Sequence, residues 1–238
     1  MAFYDHETGG AACPIFPKRG RRAVILCDGP PPAPGVLEYW LDGADLFVCT
    51  DAAGHPYDQL PLPPQVVIGD FDALAGRVLG GRDGPRFLRV DEQETTDSEK
   101  ALLFVLDQGC EEAVLVGAVG WRLDHTLYNT ALLERYSDRL RLALAGAQSD
   151  GVRLGPGQSV SWSLDPGTRF SLLPLAGQSC GVTVEGAEYP LLGGDIGTAD
   201  APAAISNQVA FDPLLIHAGD GPLLVLVDRE GPGPAVRR

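Results

Sequence analysis

Between Arg22 and about Ala145 the chain alternates short β-rich runs with helical ones, and this alternation restricts the fold more than any other feature. AVILC, DLFVC, QVVI, RFLRV, AVLVG and LRLALA read as strands, with SEKALLFVLDQG and HTLYNTALLERYSD as helices among them. Such a pattern is the signature of a Rossmann-like parallel sheet with flanking helices, the α/β class. The helix at 98–109 has the clearest boundaries. Thr96 and Glu99 are spaced as a capping box, Leu102, Leu103 and Leu106 are expected to share one face, and Gly109 ends it. After QSDGVRL the pattern changes: SVSWSL, RFSLLPL, GVTVEGAEYPL, AAISNQVAF and GPLLVLVD are punctuated by Gly and Pro, with no helix-period run between them. That predicts an all-β, antiparallel β-sandwich. The expected division is an unassigned extension (1–21), an α/β domain (22–147), a β-sandwich (148–230) and a flexible tail (231–238).

The balance of charge limits the partners. Eighteen Lys and Arg against 32 Asp and Glu give a formal charge of -14, which argues against nucleic acid or an anionic membrane surface as the main partner. An acidic protein that handles phosphates needs metal ions. The opening MAFYDHETGGAACPIFPKRG has acids and glycines where a signal peptide needs a basic end and an apolar stretch, and no apolar run reaches transmembrane length. A cytoplasmic location is the expectation. Cys13, Cys27, Cys49, Cys110 and Cys180 form an odd set with no close pair, and they read as reduced core thiols.

Three acidic clusters follow successive strands, where ligands of open α/β sheets gather. In VVIGDFDAL, Asp70 and Asp72 stand two apart directly after a buried-strand run, a spacing that lets two carboxylates converge on one hard cation. A solvated turn is the commoner source of such a pair, and metal-dependent glycosyltransferases share it. In DEQETTDSEK, Asp97 opens the capped helix and Lys100 follows on the same face, where it can touch a phosphate or pair with Asp97. In GAVGWRLDHTLYNTALL, Gly117 and Gly120 allow close backbone approach, and Arg122 offers a fork for phosphate oxygens. Asp124 either holds substrate or caps the helix. His125 is a structural residue or a base. There is no P-loop, nucleophile elbow or zinc-ligand spacing.

Taken in order, these segments resemble the thiamin pyrophosphokinase family, whose enzymes move a diphosphate from ATP to thiamin and release AMP. GDFDA stands for the family's GDFDS, DEQETTDSEKAL for its Gln and Thr-Asp segment, and GAVGWRLDHTLYN for its G-x-x-G-G-R-x-D-H…N. FSLLPLAGQSCGVTVEGAEYPL, followed by ISN, is similar to its carboxy-terminal part, so the likeness spans roughly Arg22 to Asp228. The resemblance implies Mg²⁺ and the ATP phosphates at Asp70, Asp72 and Asp97. It assigns Gln93, Thr96, Arg122 and Asp124 to the nucleotide and phosphate site and matches Asp51 to the acid of the family's D-G-G-A segment; the residues themselves add Lys100 as a phosphate contact and Asp124 as a catalytic candidate. It also implies thiamin contacts in the second domain, from Tyr189, Ser206 and Asn207, and a homodimer with active sites between its two chains. Asp97 or Asp124 would accept the hydroxyl proton.

Some positions depart from the family pattern: Ala73 replaces Ser after the paired acids, Ala52 and Ala53 replace glycines after Asp51, and Trp121 stands where a glycine precedes Arg122. A ring at 121 can narrow the pocket or add a stacking surface for another base or substrate. The rival readings are a pyrophosphokinase for another alcohol such as a pterin, a glycosyltransferase, and a non-catalytic thiamin- or nucleotide-binding homologue.

Overall fold

The computed structural model describes residues 15–32, 35–51, 53, 59–71, 84–197, 201 and 204–229. Asp72, Ala73, Ala52 and Cys13 lie outside these. The chain forms two compact units, one of Lys18–Ala147 and one of Gln148–Arg238 with Met1–Pro17.

In the Lys18–Ala147 unit, six strands carry the apolar runs: β1 (Arg22–Leu26), β2 (Leu46–Thr50), β3 (Val66–Gly69), β4 (Arg86–Arg89), β5 (Glu112–Val116) and β6 (Arg141–Ala145). All are parallel, in the order β6-β5-β1-β2-β3-β4. Strands β1, β2, β3 and β5 are buried along their whole length, as expected where a parallel sheet is covered on both faces. Helix α1 (Val36–Leu41) joins β1 to β2, α2 (Asp97–Asp107) joins β4 to β5, and α3 (Leu123–Arg135) joins β5 to β6. At the start of the strands, buried Glu112 binds Arg22 Nε at 3.0 Å and also pairs with Arg141, joining β1, β5 and β6.

This strand order places the site. From β1 the chain steps outward through β2, β3 and β4, then returns to β5 on the other side of β1. The loops leaving β1 and β5 therefore run in opposite directions and open a crevice at the strands' carboxyl ends.

Two sequence expectations for α2 are corrected. Leu103 is 40% exposed, and the buried face is Ala101, Leu102 and Val105, because adjacent residues on a helix are about 100° apart. The capping box is only half formed. Thr96 Oγ1 accepts from the Glu99 N–H at 3.3 Å, while the Glu99 side chain turns inward. It is 3% exposed and accepts from the hydroxyls of Tyr128 and Tyr136 and from Arg135 Nη1 on α3.

In the Gln148–Arg238 unit no helix occurs among the described residues. Its strands are β7 (Ser149–Leu154), β8 (Ser159–Trp162), β9 (Arg169–Pro174), β10 (Gln178–Glu185), β11 (Leu191–Gly197), β12 (Ala204–Gln208), β13 (Leu214–His217) and β14 (Leu223–Asp228). They pair antiparallel in the orders β12-β9-β14-β7 and β11-β10-β13-β8. Phe170, Leu172, Val182, Val184, Leu214, Ile216 and Val225 are among its buried side chains. The buried pair Asp150–Arg229 joins the start of β7 to the residue after β14.

Candidate active site

A cleft of about 420 Å³ opens at the carboxyl ends of the parallel strands. Each wall begins where a strand stops. Cys27, Asp28 and Gly29 follow β1, Thr50 and Asp51 close β2, and Asp70 follows β3. Asp97 and Ser98 open α2, and the loop 117–122 leaves β5 for α3.

Two glycines let these walls approach. A Cβ on Gly29 would lie 1.9 Å from the Gly117 carbonyl oxygen, and one on Gly69 would lie 2.5 Å from Asp51 Cβ. Helix α3 shapes the loop above β5 with its own side chains. Thr126 Oγ1 accepts from the Gly120 N–H and donates to the Arg122 carbonyl, each at 2.9 Å. Asn129 Nδ2 donates to the Ala118 carbonyl at 2.7 Å. Between the two acids of GDFD, Phe71 adopts φ 61, a left-handed conformation costing about 1–3 kcal/mol for such a residue. Its ring is buried edge-on against Phe87, with centroids 5.7 Å apart.

Four carboxylates, Asp28, Asp51, Asp70 and Asp97, line this one cleft. Asp51 is 4% exposed. Burial pushes its carboxyl above the ordinary value, the Phe71 N–H opposes that, and the charges of Asp97, Asp70 and Asp28 add to it. Asp51 Oδ1, Thr50 Oγ1 and Asn129 Oδ1 are buried without a hydrogen-bond partner, and all three residues line the cleft. Unsatisfied buried oxygens concentrated in one place point to a ligand that supplies positive charge or donors. These groups and the four carboxylates offer oxygen donors, which suit a hard divalent cation, although Cys27 and His125 also line the cleft. Among the described residues no three His, Cys, Asp or Glu side chains are close enough to form a ready cage. Mg²⁺ does not need one, since it is commonly held by one or two carboxylates together with substrate phosphates.

The other expected residues take distinct places. Gln93 Nε2 donates to Asp70 Oδ2 at 3.2 Å. Thr96 caps α2 and is not part of the cleft wall, and Lys100, with its side chain 4% exposed, pairs with Asp97 Oδ1 at 3.1 Å. Arg122 lines the cleft and grips Asp124 with two bonds, Nε to Oδ1 at 3.2 Å and Nη2 to Oδ2 at 2.6 Å. That hydrogen bond holds the Asp124 carboxyl down at about 2. Asp124 is exposed and lies outside the cleft wall, so it serves the arginine rather than the cavity.

Asp28 was missed in the sequence, although its position one residue past the first strand's Cys27 is the kind of signal that singled out Asp70.

In the β unit a separate hollow of about 280 Å³ is lined by Tyr189, Asp195, Ile205 and Asn207, among others. Asn207 is buried and committed to the backbone of Tyr189, accepting from its N–H at 3.1 Å and donating to its carbonyl at 2.8 Å. It positions Tyr189, whose ring is 54% exposed. Ser206 does not line the hollow. It has φ 59 at a β-bulge in β12, and its N–H donates to Ser171 Oγ at 3.0 Å.

The thiamin pyrophosphokinase catalytic-domain family model matches residues 37–144, the stretch that carries most of this cleft. Residues 37–144 fall in the thiamin pyrophosphokinase family. Thiamine pyrophosphokinase 1 of Oryza sativa subsp. japonica is 27% identical, with 74% of this chain and 78% of the relative covered. The crystal structure of thiamine pyrophosphokinase from Bacillus subtilis superposes with a TM-score of 0.75 at 21% identity, covering 88% of this chain and all of that one. The yeast thiamin pyrophosphokinase structure gives 0.73 at 14% identity, covering 89% and 87%. At these identities the structural likeness speaks for the fold. The family assignment rests on the sequence match. No helix among the described residues is long and apolar enough to cross a membrane.

Proposed function

We propose that this protein is a thiamin pyrophosphokinase, transferring diphosphate from ATP to the hydroxyl of thiamin to give thiamin diphosphate and AMP. The observation that carries the reading is the meeting of Asp28, Asp51, Asp70 and Asp97 with Arg122 and the Gly117–Gly120 loop around one cleft in a domain of this family. On this reading the parallel-sheet unit is a Rossmann-like ATP- and metal-binding domain, and the β unit is a sandwich that contacts thiamin.

Mg²⁺ fits the oxygen donors of Asp70 and Asp97, with Asp51 in the same cleft and Asp72 added by the family resemblance alone, and when bound it would offset charge on the triphosphate. The chain's own groups do the rest. The glycines of the 117–122 loop let phosphate oxygens approach its backbone closely, although the Gly117 and Gly120 N–H groups themselves are taken by the Ala145 carbonyl and Thr126 Oγ1, and Arg122 contributes the donors that Asp124 leaves free. Gln93 orients Asp70, and Lys100 holds Asp97 in place. The thiamin oxygen bonds to the β-phosphorus as the bond from that phosphorus to the α-bridging oxygen breaks, and AMP leaves with that oxygen. The hydroxyl proton passes to a carboxylate of the cleft. On this reading the acceptor is Asp97, which lines the cleft, rather than Asp124, which does not. The acidic cleft also attracts the positive thiazolium of thiamin. In the β unit Tyr189 offers the stacking ring, Asn207 fixes it, and Ser206 is a polar contact. The family resemblance supports a homodimer and a cytoplasmic location as parts of the same reading.

The test is to incubate the protein with ATP, Mg²⁺ and thiamin and identify both products. AMP and thiamin diphosphate in equal amounts support the reading. ADP with thiamin monophosphate, or release of AMP only with another alcohol, would replace it.

A further inference from the structure

Among the described residues the cleft has one large aromatic surface: Trp121 is the only Phe, Tyr or Trp among those lining it, and it is 71% exposed. The other two of the chain's three tryptophans, Trp40 and Trp162, are 1% and 7% exposed. The remaining walls are chiefly carboxylates, small polar groups and glycine backbone, with the Arg122 guanidinium and the smaller His125 ring beside them. These surfaces discriminate between ligands. A cationic ring is drawn by the four carboxylates, but a neutral planar base gains nothing from them and needs a π surface to stack on. Trp121 is also the neighbour of Arg122, and both line the same cleft, so a base attached through its sugar to phosphates held by Arg122 is within reach of the indole.

We propose that Trp121 is a specificity-determining platform on which the purine ring of the nucleotide stacks. The inference rests on the nucleotide part of the function proposed above. Nucleotide affinity then depends on this indole, while affinity for the cationic acceptor does not.

The full chain supplies its own reporter, since Trp121 is the one water-exposed indole. Titrating AMP into the wild-type protein should quench and blue-shift the exposed part of the tryptophan emission. Calorimetry should show AMP binding roughly ten- to a hundredfold weaker in Trp121→Ala, with Trp121→Phe closer to wild type. The KM for ATP should rise in step, with the KM for thiamin within about twofold. Equal AMP affinity in wild type and Trp121→Ala would overturn the platform and leave the nucleotide site standing. Quenching by thiamin together with a thiamin-specific loss in Trp121→Ala would assign the ring to the acceptor instead. Emission that shifts with protein concentration alone would show Trp121 covered by a second copy, which also overturns the proposal. A wild-type protein that binds neither AMP nor ATP would overturn the function itself.

Discussion

Removing the carboxylate of Glu99 tests whether one buried acid holds together the two helices that frame the cleft. Helix α2 begins at Asp97, α3 begins just after Arg122, and Glu99 joins them through Tyr128, Tyr136 and Arg135. In Glu99→Ala the Tyr136 hydroxyl, in a residue 6% exposed, is left buried without its acceptor, at roughly 1–3 kcal/mol. The Tyr128 hydroxyl is nearer water and loses only the net value of its bond, about 0.5–1.5 kcal/mol. Arg135 stays solvated and adds nothing to the figure. The expected loss is therefore roughly 1.5–4.5 kcal/mol. Glu99→Gln keeps one oxygen for Tyr136 and Arg135, and the Tyr128 hydroxyl can rotate to accept from the new amide, so about 1 kcal/mol is expected. Equilibrium urea unfolding followed by circular dichroism, at matched slopes, measures both. An alanine variant within about 0.5 kcal/mol of wild type, or a glutamine variant as costly as alanine, would refute this account of the helix pair.

Three further outcomes are expected. Gly69→Ala drives a methyl group to 2.5 Å from Asp51 Cβ, so it should lower stability by about 1–3 kcal/mol and weaken ATP binding by displacing Asp51; unchanged urea midpoints would show that the strands yield freely. Asp97→Asn retains an oxygen for Lys100 and an intact Thr96 cap, so the protein should fold while transfer falls about a hundredfold or more; wild-type turnover would remove Asp97 from the reaction. Burial raises the Cys27 thiol to about 12 although it lines the cleft, so at pH 8 iodoacetamide should label exposed Cys180 well before Cys27, Cys49 or Cys110. Peptide mapping showing Cys27 labelled first would contradict that environment.

What the sequence made legible was whatever rests on local periodicity. Each apolar run between Arg22 and Ala145 became a parallel strand, and the caps around Thr96 and Gly109 marked α2 closely. Helix α1, VLEYWL, escaped notice because six residues give too little periodicity to see. Strands β11 and β13 were hidden by glycines in LLGGDIG and by the shortness of LLIH. The site was half visible. Asp70 and Asp97 were marked by their position after a strand and at a helix start, but the partners of Glu99 and Asn207 lie 29–37 and 18 residues away in sequence. Contacts at that separation leave no trace in a single sequence, so Glu99 read as a cap and Asn207 as a ligand contact. In the structure Glu99 binds Tyr128, Tyr136 and Arg135, and Asn207 binds the Tyr189 backbone.

The central claim is that acids from separate strand ends act on one cation-bound triphosphate, and a double-mutant cycle on Mn²⁺-ATP binding tests it most directly. Affinity would be measured by calorimetry for wild type, Asp70→Asn, Asp97→Asn and the double variant. A shared cation predicts that each single change weakens binding about tenfold or more and that the double change costs clearly less than the sum. Strictly additive losses, or no loss in either single variant, would mean the two carboxylates serve separate purposes and would contradict the account.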